Sequence, residues 1–319
     1  MFGLRLRMWF LTALLFAIVY AIVAMISAAL GMESFYFYII VALVMMFIQY
    51  MLGPKIVEWS MRVRYLGAGE HPELQRIVKE LASRALLPAP RIGIAQVSIP
   101  NAFAFGRTVK DGRICVTEGI LNLLNEEELK AVLGHEMSHI KNRDVLTITL
   151  LSVIPVILYR IAWQFLFMGD RRDRSSGNTA LIGLAAFTFY FVTNLLVLYA
   201  SRVREYFADK GSIDLGNRPA WLASALYKLV YGSARMPKEA IKDVEGMKAF
   251  FANDPSRAMN ELKDLRDLDL DKSGTISASE LLALQNKTVR LRFGDRMLEL
   301  LGTHPNMLKR IKRLSEWKA

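Results

Sequence analysis

Cysteine and histidine are both scarce in this sequence, with one cysteine and four histidines among 319 residues. A single cysteine cannot form an internal disulfide, which excludes a disulfide-stapled fold and favours a reducing compartment. Cys115 lies in the alternating stretch 113–117 (RICVT), which predicts a buried strand residue rather than a reactive thiol. The basic residues are not interleaved with aromatic ones, so nothing indicates nucleic-acid binding.

Long stretches with little or no charge stand out, because 53% of the chain is apolar although its net charge is +11. At about 1.5 Å per residue, an apolar helix of this length crosses a hydrocarbon core of about 30 Å. The first stretch is longer than the apolar core of a cleavable signal peptide, which is the alternative. Four membrane spans are predicted, at residues 8–30, 34–52, 145–168 and 178–200.

The third stretch is the weakest of the four, since Pro155, Arg160 and Gln164 interrupt it. A re-entrant or interfacial segment is the alternative there, because an arginine in hydrocarbon is costly.

Lysine and arginine near span ends predict orientation, since they favour the cytosolic side. The ends at Arg5, Arg7, Lys55, Arg62, Arg64, Lys141, Arg143, Arg202 and Arg204 all fall on one side. The loop 169–177 is an exception, because it carries three arginines although it is predicted on the opposite side. We expect a multi-pass protein of the cell membrane, in contact with the lipid bilayer, whose catalytic part faces the cytoplasm.

The segment His135-Glu136-Met137-Ser138-His139 carries the strongest chemical signal. Two histidines four residues apart project from one face of a helix and can hold one zinc ion, while the glutamate between them can act as general base. The helix is predicted to begin after the N-cap Asn125, with three glutamates in its first turn.

A catalytic zinc usually takes a third protein ligand. Glu205, directly after the fourth span, is the best candidate if the last two spans form a hairpin that returns it to the two histidines. Asp209 lies one turn further on and can accept the second N–H of a ligating imidazole. The alternative is an ordinary charged helix that follows a membrane span.

Four motifs, in this order, resemble the integral-membrane zinc metalloproteases of the HtpX type, which are related to the CAAX prenyl proteases. They are PNAFAFG at 100–106, HEMSH at 135–139, SRVREYFAD at 201–209 and THPNMLKRIKRL at 303–314. The resemblance covers most of residues 70–314. It implies that His135, His139 and Glu205 bind zinc, that Glu136 is the general base, and that the protein degrades misfolded membrane proteins in quality control.

Residues 69–86 predict an amphipathic helix capped by His71, and short strands are predicted at 91–97, 102–105 and 113–117, forming a small hairpin sheet. The segment Asn101, Ala102, Phe103 and Ala104 resembles the family's substrate-edge strand, which holds an extended peptide by strand addition. A plain edge strand packed on the core is the alternative.

Two residues of the last motif are further candidates. His304 is predicted to donate to the oxyanion of the tetrahedral intermediate, and a helix cap before Pro305 is the alternative. Arg310 is expected either to do the same or to form a salt bridge near the site.

The stretch 269–280 (DLDKSGTISASE) matches a twelve-residue EF-hand loop, with helices predicted at 260–268 and 281–286. Glycine at the sixth position allows the sharp turn. The predicted calcium ligands are Asp269, Asp271, Ser273, Thr275, Ser277 through water, and Glu280. The alternative is a polar turn with chance spacing.

The expected fold is an α-helical membrane protein with an α+β, zincin-like metalloprotease domain, about four transmembrane helices and a small sheet beside the motif helix. Its parts are a transmembrane hairpin at 1–54, a first protease part at 55–144, a second hairpin at 145–200, and a second protease part at 201–319 with the EF-hand-like insertion at 257–286. The predicted function is zinc-dependent cleavage of peptide bonds in membrane or misfolded proteins at the cytosolic face, with modulation by calcium. The alternatives are a prenyl-protein processing peptidase and a calcium-responsive membrane scaffold with a silent zinc site.

Overall fold

The structure is a computed structural model that describes residues 35–167, 178–237, 251, 257–287, 289 and 293–317. These residues fall into two compact units, one within 1–52 and 146–203 and the other within 53–145 and 204–319. The second unit contains every residue predicted for catalysis, for metal binding or for the substrate strand.

The second unit contains a four-stranded sheet in the order β1-β2-β4-β3. Its strands are β1 (Val63–Tyr65), β2 (Arg91–Ala95), β3 (Ala102–Phe105) and β4 (Arg113–Thr117). β1 is antiparallel to β2 and β3 is antiparallel to β4, but β2 and β4 are parallel. The predicted hairpin is therefore confirmed for β3 and β4, but β2 is not part of it, because the chain leaves β2, forms the edge strand β3 and only then returns to place β4 parallel to β2.

The helices that the structure describes are numbered in chain order. They are α1 (Phe35–Ser60), α2 (Pro72–Ala85), α3 (Glu118–Leu123), α4 (Glu126–Lys141), α5 (Asp144–Phe167), α6 (Asn178–Asp214), α7 (Pro219–Ala234), α8 (Ala258–Leu265), α9 (Ala278–Gln285), α10 (Phe293–Leu300) and α11 (Met307–Leu314).

Helix α2 confirms the predicted amphipathic helix. Its buried face consists of Leu74, Ile77, Val78, Leu81, Ala82 and Ala85. His71 lies at the N-cap position, but its side chain makes no capping hydrogen bond and its backbone is left-handed, with φ of 45°. The predicted capping role of His71 is therefore wrong, and Pro72, whose ring presets a helical φ, begins the helix instead.

Helix α4 carries the two motif histidines and begins as predicted. Asn125 accepts a hydrogen bond from the Glu128 N–H, and the Glu128 carboxylate accepts from the Asn125 N–H, which closes a capping box. Glu128 also accepts from Ser224 and Lys228 on α7, at 2.6 and 2.8 Å. Because α4 contacts α2, α7 and β3, the zinc motif lies in the interior of this unit.

In the first unit, α5 packs against α6 through an apolar cluster that includes Leu151, Ile154, Leu158, Val197 and Ala200. Among the helices that the structure describes, only the one over 180–214 is long and apolar enough, by length and composition, to cross a membrane. The predicted second and third spans fall on α1 and α5, and as spans they remain predictions. The first span and the basic loop 169–177 lie outside the described residues.

Candidate metal centre

Two imidazole rings and one carboxylate converge at the C-terminal half of α4. The Nε2 atoms of His135 and His139 lie 3.1 Å apart. Glu205 on α6 places Oε2 3.5 Å from His135 Nε2 and Oε1 3.6 Å from His139 Nε2. His135 and Glu205 are each 3% exposed, so the three ligand atoms face one another in a nearly dry pocket.

Both histidines use the same ring nitrogen, Nδ1, to contact a neighbouring carboxylate. The Nδ1 of each ring lies within hydrogen-bond distance of a carboxylate, Asp209 for His135 and Asp144 for His139. A neutral imidazole that donates from Nδ1 carries its lone pair on Nε2. Two lone pairs 3.1 Å apart beside a carboxylate can share one cation, and the groups therefore fit a metal ion.

The spacing of these atoms agrees with zinc. Zinc binds imidazole nitrogen at about 2.0–2.1 Å in tetrahedral geometry, which puts neighbouring ligand atoms roughly 3.3 Å apart. The observed separations of 3.1, 3.5 and 3.6 Å bracket that value. A site formed by two histidines and one glutamate also leaves the fourth position open, as a catalytic zinc requires.

Arg310 is the counter-charge of this site and has no exposed surface. Its Nε and Nη2 donate to the two carboxylate oxygens of Asp209 at 2.9 and 2.6 Å, and its Nη1 lies 3.3 Å from Glu205. These carboxylates raise the pKa of the guanidinium further despite its burial. Of the two roles expected for Arg310, the structure therefore shows the salt bridge.

The pKa of His135 reflects the same carboxylates. Burial lowers it, but the hydrogen bonds to Asp209 and Glu205 outweigh burial and raise it to about 9 in the absence of metal. A proton therefore occupies this cluster at neutral pH until a metal ion displaces it.

Glu136 faces the same pocket from α4 and is 4% exposed. Burial raises the pKa of its carboxyl above the ordinary value, although the two histidines and the N–H of Ala104 act in the opposite direction. The Ala104 amide belongs to β3, so the edge strand and the glutamate are in direct contact. A carboxylate with a raised pKa is suited to accept a proton.

The strand β3 has one edge open in the sheet as described. The Asn101 carbonyl accepts from the Thr117 N–H of β4, so by strand alternation Phe103 also faces β4. Ala102 and Ala104 direct their backbone groups to the other edge. The predicted substrate strand therefore lies beside Glu136, with one edge that no described strand pairs, although Ala102 is only 1% exposed.

Small residues let α4 and the end of α6 approach closely enough for Glu205 and Asp209 to reach the histidines. A Cβ atom added to Gly211 would lie 2.0 Å from Oγ and 2.6 Å from Cβ of Ser138. The next residue, Ser212, donates to the Ala131 carbonyl of α4 at 2.6 Å. Two close approaches, Gly211 of α6 against Ser138 of α4 and Gly134 of α4 against Ser212 of α6, thus set the separation of the two ligand-bearing helices.

His304 lies next to the cluster, with Nδ1 3.3 Å from Glu205 Oε2. Its side chain is 12% exposed, and its Nε2 is buried without a hydrogen-bond partner among the residues that the structure describes. Asn306, not His304, caps α11, since its side chain accepts from the Leu308 N–H. The alternative of a helix cap at His304 is therefore wrong.

The predicted calcium loop forms a second cluster of carboxylates. Oxygen atoms of Asp269, Asp271 and Glu280 lie within 4.8 Å of one another. Gly274 adopts φ of 78°, as the sharp turn requires. The flanking helices are α8 and α9, which begin two to three residues before their predicted starts. Ser273 contacts Thr275 at 2.9 Å, and Ser277 caps α9.

Asp144 is the site residue that the sequence analysis missed. Its Oδ2 lies 2.6 Å from His139 Nδ1, and its side chain is buried. The available signal was its position five residues after His139, directly before a long apolar run. The position was not decisive, because an aspartate there is equally typical of the first turn of a helix, where it complements the helix dipole.

The buried His-x-x-x-His pair on a helix, a glutamate from a second helix and a base beside an open strand define a metallopeptidase of the HExxH class. The sequence pattern of peptidase family M48 matches residues 68–318. The chain belongs to peptidase family M48, and it is a metalloprotease of the HtpX type, as its resemblance indicated.

Curated relatives agree with this assignment. The chain is 51% identical over 227 residues to a "Protease HtpX homolog" of Methanothermobacter thermautotrophicus, covering 71% of this chain and 86% of the relative. A "Protease HtpX homolog" of Moorella thermoacetica is 37% identical over 254 residues, covering 78% and 84%. The crystal structure of S. mikatae Ste24p shares the fold, with a TM-score of 0.50 and 16% identity over 99% of this chain and 67% of that one.

Proposed function

We propose that this chain is a zinc-dependent endopeptidase whose zinc ligands are His135, His139 and Glu205. The single observation that carries this assignment is the convergence of two Nε2 atoms and one carboxylate within 3.1 to 3.6 Å in a buried pocket. A zinc ion held there supplies a Lewis acid that polarises the scissile carbonyl and acidifies a water molecule.

The other residues of the pocket divide the remaining work. Glu136 accepts a proton from the attacking water and delivers it to the leaving amine. The unpaired edge of β3, at the Ala102 backbone and the Ala104 carbonyl, holds the substrate as an added strand. His304, whose Nε2 has no described partner, donates to the developing oxyanion.

The proposed substrates are membrane proteins or misfolded proteins, and the proposed place is the cytosolic face of the cell membrane. The apolar helix over 180–214 and the two HtpX-type relatives support a membrane protease. The basic residues at the span ends support the cytosolic orientation. Quality control is inferred from the family alone.

The experiment compares the native chain with Glu136→Gln in detergent, with zinc present and casein as substrate. Loss of the base should lower kcat by about 10²- to 10⁴-fold while one zinc ion remains bound. Glu127→Gln is the matched control, since Glu127 is an exposed glutamate on the same helix. Equal cleavage by the native chain and Glu136→Gln would show that the site is silent and would favour the scaffold alternative.

We also propose that the loop 269–280 binds one calcium ion through Asp269, Asp271, Ser273, the Thr275 carbonyl, Ser277 through water, and Glu280. The support is the twelve-residue spacing together with the three convergent carboxylates. Tyr227 on α7 donates to Asp269 at 3.2 Å, which joins the loop to the helix that also holds Glu128 of α4. Calcium would therefore stiffen the part of the chain that packs behind the motif helix.

The calcium proposal is tested by chelation and calcium add-back, with zinc held constant. Calcium should raise the melting temperature by a few degrees when its concentration moderately exceeds the dissociation constant, because it binds only the folded loop. Asp271→Asn should remove that shift, and Asp267→Asn should not, because Asp267 is an exposed acid just outside the loop. No shift with the native chain would reject the calcium site.

A further inference from the structure

The two imidazoles of the candidate zinc site are supported in the same way from opposite sides. His135 Nδ1 lies 2.9 Å from Asp209, and His139 Nδ1 lies 2.6 Å from Asp144. Both carboxylates are nearly buried, with exposures of 1% and 6%. The Asp209 contact was expected from the sequence, whereas the Asp144 contact emerges only from the path of the chain.

That path is a tight turn between α4 and α5. Asn142 closes α4, Arg143 adopts a left-handed backbone with φ of 55°, and α5 begins at Asp144. The left-handed residue reverses the chain so that Asp144 points back to a ring five positions earlier. A non-glycine residue in this conformation costs free energy, and such residues concentrate where function requires them.

Each carboxylate also faces an arginine. Asp209 is bound by two nitrogens of Arg310, at 2.6 and 2.9 Å. Asp144 lies 3.9 Å from Nη1 of Arg204, whose side chain is 16% exposed. The second pair is the looser of the two, but in both cases a guanidinium offsets the buried charge of the carboxylate that holds the imidazole.

We propose that Asp144 is a positioning residue for His139, with Arg204 as its counter-charge, as Asp209 and Arg310 are for His135. Asp144 holds the N–H on Nδ1 and so presents the Nε2 lone pair to the metal. This inference rests on the proposed zinc site. Removing such a partner from a metal-binding imidazole typically lowers metal affinity 10- to 100-fold.

The experiment measures zinc affinity by chelator competition, together with the visible spectrum of the cobalt-substituted protein. Asp144→Ala should weaken zinc binding by about 10- to 100-fold and alter the cobalt spectrum, because the ring can rotate. Arg204→Met should weaken binding less, and it should add nothing in the Asp144→Ala background. Asp214→Ala, a substitution of the same kind at an exposed acid of α6, should leave both readouts unchanged.

A second variant separates positioning from folding, since Asp144 also begins α5. Asp144→Asn keeps a good helix-start residue and an acceptor oxygen but removes the charge. It should retain the native melting temperature without metal and still bind zinc more weakly than the native chain. Native zinc affinity in both Asp144→Asn and Asp144→Ala would overturn the proposal.

The proposed function fails by a different result. If the native chain and His139→Ala bind zinc equally weakly, there is no zinc site for Asp144 to support. If the native chain binds one zinc ion and cleaves casein while Asp144→Ala does both normally, only the positioning role is rejected.

Discussion

The two carboxylate-rich clusters of this protein are built in opposite ways. The cluster at His135, His139 and Glu205 joins side chains up to seventy positions apart in a nearly dry pocket. The cluster at Asp269, Asp271 and Glu280 lies within twelve consecutive residues, and Asp271 is exposed. Tertiary packing therefore fixes the first site, whereas the local backbone fixes the second.

The charges of the two clusters are balanced differently as well. In the first, Arg310 and the imidazoles face the carboxylates, so each ionised group depends on a side chain from another element. In the second, backbone N–H groups of Leu270, Ser273 and Gly274 donate to the carboxylates. The first cluster should therefore respond strongly to distant substitutions, and the second to substitutions in the loop itself and at Tyr227, which donates to Asp269.

The largest effect is expected from Gly211→Ala. The added methyl group would overlap Ser138, so α6 must move away from α4 and carry Glu205 with it. We expect loss of zinc binding and of casein cleavage, with a lower melting temperature. Gly53→Ala is the control, since a Cβ at Gly53 meets no atom within 4 Å.

The same contact offers a rescue. Ser138→Gly removes the side chain that the new methyl group meets, so the double variant Gly211→Ala, Ser138→Gly should regain part of the zinc binding. Rescue would establish that helix separation, rather than a general fault in folding, sets the ligand geometry. Native zinc affinity in Gly211→Ala alone would contradict the claim that packing fixes this site.

A smaller effect is expected from Arg310→Met. It leaves Asp209 and Glu205 buried without their cation, and breaking a buried pair in this way costs roughly 3 to 5 kcal/mol of unfolding free energy. Thermal unfolding of the metal-free protein measures the loss, and zinc should restore part of it. Arg76→Met is the control, because its partner Glu126 and Arg76 itself are both exposed. A metal-free protein that unfolds as the native chain does would show that Arg310 is dispensable.

The most graded effect is the response of the two clusters to pH. The pKa of His135 is raised to about 9 without metal, so a proton must leave before zinc binds. Apparent zinc affinity should therefore rise by about tenfold per pH unit below pH 9 and level off above it.

The loop should behave differently in the same titration. Hydrogen bonds from Ser273 lower the pKa of Asp271, and those from Ser277 and Leu270 lower that of Glu280 despite partial burial. Both groups are then ionised well below neutral pH, so calcium affinity should stay flat from about pH 5 upward. Calorimetry with each metal at several pH values makes the comparison, and parallel pH profiles would contradict it.

Much of the site could be predicted because its chemistry repeats at fixed helical spacing. His135 and His139 are four residues apart and therefore share one helix face, with Glu136 between them. Glu205 and Asp209 have the same spacing and come directly after the fourth predicted span. The capping box at Asn125 and the strand ending in Thr117 were equally local, and the structure confirms them. Cys115, which is fully buried with a pKa raised to about 12, is the inert strand residue that was predicted.

The features that were not predicted depend on contacts between segments that are distant in sequence or that meet where the chain reverses direction. The parallel pairing of β2 with β4 cannot be read from alternation, which is the same for either direction. β1 has three residues and is too short for a pattern. Asp144 reaches His139 only because Arg143 takes a left-handed conformation, which the presence of an arginine in the sequence does not predict.

The contact between the Ala104 N–H and the Glu136 carboxyl would bear on the selectivity of the proposed peptidase. A peptide added to β3 is aligned by its own main chain, and the proton acceptor is anchored to that same strand. The position of the scissile bond relative to Glu136 would then be set by main-chain hydrogen bonds, whatever the side chains of the substrate. Such an enzyme would choose its cleavage positions by whether a segment can be drawn out as a strand, which is how a protease comes to recognise unfolding rather than sequence.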